Sequence, residues 1–326
     1  MTKAGNKLDN RRGLSSINVG QYSIYIVAVV AFLFLSFTRP NFFRYTNIYS
    51  LVFGLSMEFL LVIGITLLLI MGEVDLSIGS VYAFAGVFTG MLVYELEIPL
   101  IISILICLIA TGAIGFINGF LVVRFRANSL MITIGTMILF RGLADVLINF
   151  LKGITYPYEY RAIANFKILN INFTIFLMFI VIVGLEYLLV NHASFRKLYY
   201  IGENKLSAKI YGVRVERVKH TVFIITSMTA GLAGILGASR SGQTVWNTGQ
   251  GLEFKMITAA ILGGASLFGG KGSVVKSLFG LFLLTIILNG LVMYNVDPVW
   301  TDVVVGFVLI LAIVFDTRIN REKLVF

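Results

Sequence analysis

The chain has 326 residues, of which 58% are hydrophobic and only 13% are charged, and its mean hydropathy is +0.92. Soluble domains carry roughly 25% charged residues, so this composition argues against a water-soluble fold. The single cysteine, Cys107, excludes an internal disulfide and a multi-cysteine metal site. The net charge of +10 is spread over short segments between apolar runs, which indicates membrane topology and no nucleic-acid partner.

Ten apolar runs follow one another along the chain and predict an all-α polytopic membrane protein of about ten transmembrane helices. The reason is length, because a helix that crosses a bilayer needs about 20 apolar residues. The runs at 78–94 and 254–268 are short and rich in Gly and Ala, which favours half-helices or re-entrant pieces packed inside protein. The ten runs lie near 22–38, 48–71, 78–94, 99–123, 129–151, 173–190, 220–239, 254–268, 274–294 and 299–316.

Two stretches that lead into these runs are similar. The letters LSIGSVYAFAGVF at 76–88 resemble FGGKGSVVKSLFGLF at 268–282. Both enter a run from the same predicted side, which indicates a parallel repeat of two halves, although Gly-rich helices also match by chance.

The basic residues divide unevenly between the two sides of the predicted bundle. When loops are assigned alternately, 18 Lys and Arg residues fall on one side and 6 on the other. Basic residues concentrate in cytoplasmic loops, so we predict a multi-pass protein of the inner, cytoplasmic membrane with both termini in the cytoplasm. The predicted organisation is a cytoplasmic tail at 1–21, a transmembrane domain at 22–316 and a second cytoplasmic tail at 317–326.

The longest polar segment, at 195–220, is too polar to cross a bilayer and lies on the predicted cytoplasmic side. From Lys205 to Tyr211 it is compatible with a helix, and Gly212 is a typical helix end. A short helix at the membrane surface could be displaced by a soluble motor protein that binds it. The alternative is an ordinary basic loop held to anionic lipid headgroups.

Four stretches together resemble one family. They cover the chain in family order from about residue 48 to 316, and they resemble the permease subunit of a ribose-type (carbohydrate) ABC importer, in the branched-chain amino acid/ribose permease superfamily. Glu73 is a departure, because the family usually has Gly or another small residue there. The stretches are GEVDLSIGS at 72–80, TIGTMILFRGLAD at 133–145, IGENKLSAKIYGVRVERVK at 201–219 and GLEFKMITAAILGGASLFGGKGSV at 251–274.

The resemblance implies an ABC importer permease fold and the partners of such a permease. These are separate ATP-binding cassette ATPase subunits in the cytoplasm, an extracytoplasmic solute-binding protein, and a second permease copy or sister permease within the lipid bilayer. The chain would be a conduit for a sugar or sugar-like solute, with no cofactor and no covalent chemistry of its own. The resemblance also places the ATPase-coupling residues at Gly202, Glu203, Asn204, Ala208, Gly212 and Val213, of which Ala208 and Gly212 are small enough to let a partner approach.

The turn GEVDLSIGS allows two interpretations. Gly72 and Gly79 permit backbone geometries closed to other residues, and Asp75 or Ser77 can cap the helix that follows. The functional alternative is a polar break in the membrane, where the carboxylate of Asp75 accepts hydrogen bonds from the hydroxyls of a passing solute.

Arg141 lies 12 residues into its run, which places it about 18 Å deep, near the bilayer midplane. A charge there costs roughly 3 kcal/mol and requires a partner or a wet cavity. Asp145, four residues on, is the predicted structural partner, and direct contact with solute is the alternative. Glu58 and Glu186 raise the same question, but the sequence reveals no partner for either.

Further polar groups within the runs can either join helices or line a path for a neutral polyol. Helix contact is the simpler role for any one of them. The predicted path residues are Asp75, Ser77, Asn118, Thr133, Arg141 and Asn289.

Other functions find less support. Lys271 in GASLFGGKGS is followed by Gly272, so the stretch is no phosphate loop, and His192 and His220 have no metal spacing.

An amino-acid permease of the same superfamily remains an alternative, as does a proton- or ion-coupled transporter that would use Glu58, Asp145 and Glu186. A membrane enzyme is more remote. The solute could be a pentose, a hexose, a nucleoside or a signalling furanone.

Overall fold

The structure, a computed structural model, describes residues 19–151, 155–245 and 247–319. The predicted tails at 1–21 and 317–326 lie mostly outside this described part. Within it the chain forms thirteen helices and one two-stranded hairpin, so the predicted all-α class is confirmed. The helices are α1 (Val19–Thr38), α2 (Tyr45–Ile70), α3 (Ile78–Tyr94), α4 (Leu100–Arg124), α5 (Ser129–Ile148), α6 (Tyr158–Asn165), α7 (Phe173–Asn191), α8 (Ala193–Glu203), α9 (Lys205–Ile210), α10 (Val215–Ser241), α11 (Leu252–Leu262), α12 (Val274–Met293) and α13 (Trp300–Ile319), and the strands are β1 (Lys167–Ile168) and β2 (Ile171–Asn172).

Each of the ten predicted apolar runs contains a helix. Among the described residues, seven helices are long and apolar enough to cross a membrane, namely α2, α4, α5, α7, α10, α12 and α13. The other three runs form α1, α3 and α11. At 1.5 Å per residue the 11-residue α11 is about 16 Å long, so the prediction of a short helix in this run is confirmed, although the helix ends at Leu262 and not at 268.

Helix α2 lies at the centre of the bundle. It is apolar all around its circumference, and nearly every residue from Phe59 to Ile70 is buried. Helix α10 packs beside it and against α3 and α4, and small residues permit these close approaches. A Cβ on Gly234 of α10 would lie 2.1 Å from the carbonyl oxygen of Tyr82 in α3.

Two helix breaks lie next to each other at the end of the bundle that carries α8 and α9. The first, at 71–77, separates α2 from α3, and the second, at 263–273, separates α11 from α12. The N–H of Gly270 donates to the carbonyl of Ile70 at 2.9 Å. The second break therefore provides the hydrogen-bond donor for the last carbonyl of α2, where the first break begins. The two similar stretches therefore enter α3 and α12 from the same end of the bundle.

The opposite end of the bundle is closed by contacts between loops and helix ends. The side-chain amides of Asn47 and Asn289 exchange two hydrogen bonds of 3.1 Å, and the guanidinium of Arg39 lies 3.7 Å from the ring centre of Tyr294. Successive connections thus alternate between the two ends, as the charge pattern predicts. We call the end that carries α9 the α9 end.

Candidate solute path and coupling segment

A fully buried polar cluster lies in the α2–α3 break. The backbone N–H and the hydroxyl of Ser77 both donate to Asp75 Oδ1, at 2.7 and 2.6 Å. Asn118 of α4 donates from Nδ2 to the Ser77 hydroxyl at 3.1 Å. The carboxylate of Asp75 therefore holds Ser77 immediately before α3, but it does not cap the helix, because no described side chain hydrogen-bonds the N-terminus of α3. The Oδ1 atom of Asn118 is buried and has no hydrogen-bond partner among the described residues.

Helix α5 satisfies two further backbone N–H groups of this break. The N–H of Val74 donates to the Ser129 hydroxyl at 3.2 Å, and the N–H of Leu76 donates to the Thr133 hydroxyl at 3.1 Å. Unpaired backbone groups are costly inside a membrane, so these hydroxyls stabilise the irregular chain. Four predicted path residues, Asp75, Ser77, Asn118 and Thr133, thus come together at one place.

Arg141 and Asn289 lie elsewhere, and the predicted Arg141–Asp145 ion pair is wrong. Arg141 Nη1 donates instead to the carbonyl of Thr248, in the loop between α10 and α11, and its charge interacts with the buried carboxylate of Glu253. The spacing of four placed Asp145 on the same helix face, but the long guanidinium side chain reaches a loop that the sequence pattern could not place. Asn289 contacts Asn47 at the end opposite α9.

The two intramembrane glutamates that lacked a partner both have one in the structure. Lys255 of α11 donates to both carboxylate oxygens of Glu58 at 2.7 Å. Glu186 of α7 accepts from the N–H of Val274 at 2.9 Å and from the Ser273 hydroxyl at 2.8 Å, so it caps α12. A carboxylate at a helix N-terminus is favoured by the helix dipole. An unpaired carboxylate in an apolar run is energetically costly, so the sequence indicated that each glutamate has a partner without identifying it.

Sequence reasoning missed a cavity that lies away from the α9 end. It has a volume of about 390 Å³, and its polar groups differ in chemistry: one carboxylate, one guanidinium, one phenol and two hydroxyls. Groups of this mixture can hydrogen-bond a neutral, hydroxyl-rich molecule. The residues that supply them are Glu58, Arg240, Tyr82, Ser241 and Thr248.

The predicted coupling segment folds as two short helices, α8 and α9. The side chain of Asn204 caps α9 by accepting from the N–H of Ser207 at 2.9 Å. Gly212 ends it with a φ of +80°, so the predicted helix end is confirmed, and the Val213 N–H donates to the Ala208 carbonyl at 3.0 Å.

The placement of Ala208 corrects the prediction that a partner approaches its small side chain. Ala208 is only 2% exposed, because it faces the chain's own core. Large apolar side chains instead point outward from this region, with Ile210 76% and Tyr211 85% exposed. The surface that is open to a partner therefore carries large apolar side chains beside the half-exposed Lys205 and Lys209.

The coupling segment lies directly on both helix breaks. A Cβ placed on Gly202 would lie 1.9 Å from the Ile70 carbonyl oxygen and 2.4 Å from the Gly270 nitrogen. The Tyr199 hydroxyl donates to the Gly272 carbonyl at 2.9 Å. Movement of α8 would therefore displace both breaks.

Glu73 joins the first break to α9 and α10 through ion pairs. Lys205 Nζ lies 3.0 Å and Lys219 Nζ lies 2.5 Å from Glu73 Oε1. Burial by itself raises the pKa of Glu73, but the ammonium groups of Lys219 and Lys205 outweigh it and bring the pKa below its ordinary value. The carboxylate is therefore charged at neutral pH.

Among the described residues no group of three or more His, Cys, Asp or Glu side chains could hold a metal ion. The geometry consists of polar breaks, paired charges and an apolar exterior.

One known protein family matches most of the chain. The family of the branched-chain amino acid transport system permease component matches residues 47–313. The chain belongs to this family. The predicted resemblance to an ABC importer permease is thereby confirmed, and together with the seven apolar helices it makes the protein a multi-pass transport subunit of the inner membrane.

The permease is similar to several known permeases along most of its length. It is 33% identical over 300 residues to the autoinducer 2 import system permease protein LsrC of Photorhabdus luminescens, covering 90% of each chain. It is 32% identical to LsrC of Yersinia pseudotuberculosis, covering 90% of this chain and 84% of the relative. It is 33% identical to LsrC of Escherichia coli O157:H7, covering 90% and 87%. No solved structure matches the permease significantly.

Proposed function

We propose that this permease imports a small, uncharged, sugar-like solute such as the autoinducer 2 imported by its relatives. The observation that carries the proposal is the similarity to autoinducer 2 permeases over 90% of the chain. The mixed polar lining of the cavity beside Glu58 supports it, because hydroxyl-rich solutes need both donors and acceptors.

ATP hydrolysis by separate subunits provides the energy for import. Separate ATPase subunits dock on the α8–α9 segment at the cytoplasmic side, where the exposed side chains of Ile210 and Tyr211 provide the contact. An extracytoplasmic binding protein delivers the solute to the opposite end. The bias of 18 to 6 basic residues supports this orientation, because the α9 end carries the larger number.

A second permease, either a copy or a sister chain, completes the path. Helices α5 and α13 offer the surface for it, because they are the least buried of the seven candidate spans. Solute enters beside Glu58 and Thr248, and the buried cluster of Asp75, Ser77 and Asn118 closes the path at the α9 end. Binding of ATP changes which end is open.

Uptake measurements test the proposal. The permease is reconstituted in vesicles with its ATPase subunits and binding protein, and uptake of labelled autoinducer 2, ribose and leucine is compared. We expect ATP-dependent uptake of autoinducer 2 or ribose. Uptake driven by a proton gradient without ATP would favour the coupled-transporter alternative, and uptake of leucine alone would favour the amino-acid branch.

A further inference from the structure

Glu73 brings together three structural elements at one carboxylate oxygen. It lies in the α2–α3 break and is nearly buried, with its side chain 6% exposed. Lys205 opens α9 and is half exposed, whereas Lys219 belongs to α10 and is 14% exposed. Charges at this depth are screened less by solvent than surface charges are, so their positions remain coupled.

The break in turn is bound to α5 by two hydrogen bonds already described, from Val74 to Ser129 and from Leu76 to Thr133. Further along α5, Arg141 holds the carbonyl of Thr248 in the loop that precedes α11. Direct contacts thus lead from α9, through Glu73 and the break, to α5 and the loop at the opposite end. None of these contacts requires a bridging molecule.

We infer that Glu73 is a positioning residue that transmits displacement of α9 through the α2–α3 break to α5. The inference rests on the proposed function, because it takes α9 as the element that the ATPase moves. When α9 moves, Lys205 draws Glu73 with it, while Lys219 keeps the carboxylate neutralised and buried. The ion pair therefore acts as a link between motor and path, in addition to neutralising charge.

The alternative is that the ion pairs only stabilise the fold. Replacement of each of two α9 lysines distinguishes the two roles, because both side chains are 51% exposed and each pairs with one glutamate. Lys205 pairs with Glu73 in the break, whereas Lys209 pairs with Glu216 at the start of α10. A purely stabilising role predicts that replacing Lys205 lowers the amount of folded protein without changing the solute imported per ATP, whereas a transmitting role predicts a lower ratio in protein that is folded and assembled.

The test compares Lys205→Met with Lys209→Met in vesicles that contain the ATPase and binding protein. Lys205→Met leaves Glu73 paired with Lys219, so the buried carboxylate stays neutralised. We expect it to lower the solute imported per ATP hydrolysed by about fivefold, with ATPase co-purification unchanged. Lys209→Met should change that ratio less than about twofold.

Equal ratios in the two variants, with normal import by the wild type, would overturn the inference alone. Absence of ATP-driven import in the wild type would instead overturn the proposed function and the inference with it. An exchange of charges provides a second test: Glu73→Lys should reduce the ratio, and addition of both Lys205→Glu and Lys219→Glu should restore at least half of it. No recovery in a folded, assembled triple variant would contradict an electrostatic link.

Discussion

A Cβ on Gly202 of α8 would lie 1.9 Å from the carbonyl oxygen of Ile70, at the end of α2. This separation is far shorter than any van der Waals contact, and the neighbouring atom belongs to the backbone, which cannot turn aside. Only glycine therefore permits the present approach of α8 to the first break.

Gly202→Ala should consequently lower the stability of the permease by about 1–3 kcal/mol, because α8 must move away from the break. Thermal unfolding in detergent measures the effect. Gly184→Ala is the matched control, since that glycine also lies in a helix but has nothing within 4 Å of the added Cβ. The control should be neutral or stabilising by up to about 1 kcal/mol, and equal melting temperatures for both variants would contradict the packing.

Asp75→Ala should lower the stability by about 1–3 kcal/mol, because it leaves the N–H and hydroxyl of Ser77 without their buried acceptor. Asp297→Ala is the matched control. Asp297 accepts from the N–H of Val299 two residues on, as Asp75 does from Ser77, but it is exposed. Its loss should cost less than about 1 kcal/mol, since water can replace the carboxylate. Thermal unfolding of the two purified variants distinguishes them.

Arg141 should show energetic coupling to Glu253 and not to Asp145. In a double-mutant cycle of unfolding free energies, Arg141→Leu combined with Glu253→Gln should be less damaging than the sum of the single changes. Arg141→Leu combined with Asp145→Leu should be additive to within about 0.5 kcal/mol, because the Arg141 guanidinium binds the carbonyl of Thr248 and forms no ion pair with Asp145 among the described residues. The reverse pattern would reinstate the pair suggested by the spacing of four.

Ala208→Trp should reduce the amount of folded protein in the membrane, because the Ala208 side chain is buried and a large ring would overpack the core. Tyr211→Ala should leave the folded amount unchanged, because the Tyr211 side chain is exposed. It should weaken co-purification of the ATPase severalfold if the ring anchors the contact. Normal folding of Ala208→Trp would show that the approach of α9 to the bundle is looser than the structure indicates.

Labelling from the two sides of the membrane checks the orientation. Single cysteines replace Lys205 in α9 and Tyr158 in α6, both exposed positions at opposite ends of the bundle. The native Cys107 is buried and should not react with an impermeant maleimide. The cysteine at position 158 should be labelled from outside and the one at 205 only after the inner face is opened. Labelling of both from outside would contradict the proposed topology.

The positions of the spans could be predicted from the sequence because an apolar run is a local signal. The run at 78–94 matches α3 at both ends, and Gly212 ends α9 where expected. The run at 254–268 was predicted too long, because apolar side chains continue past Leu262 while glycines with positive φ turn the chain into the second break.

The partners of the charged residues could not be predicted in the same way. Lys205 is 132 residues from Glu73 in sequence, and Lys255 is 197 residues from Glu58. Such pairs depend on how helices pack, which hydrophobic periodicity does not specify. Only Arg141 had a local candidate partner, and the local candidate was wrong.

The contact between the Gly270 N–H and the Ile70 carbonyl has a consequence for biogenesis. Ile70 lies early in the chain and Gly270 late, so the first break remains incomplete while the ribosome is still making the second. An early fragment that ends after α5 would leave the carbonyl of Ile70 without this hydrogen-bond partner at the end of α2. The N-terminal half is therefore expected to stay dependent on insertion machinery until α12 arrives, and truncated chains should be preferred targets of membrane proteases.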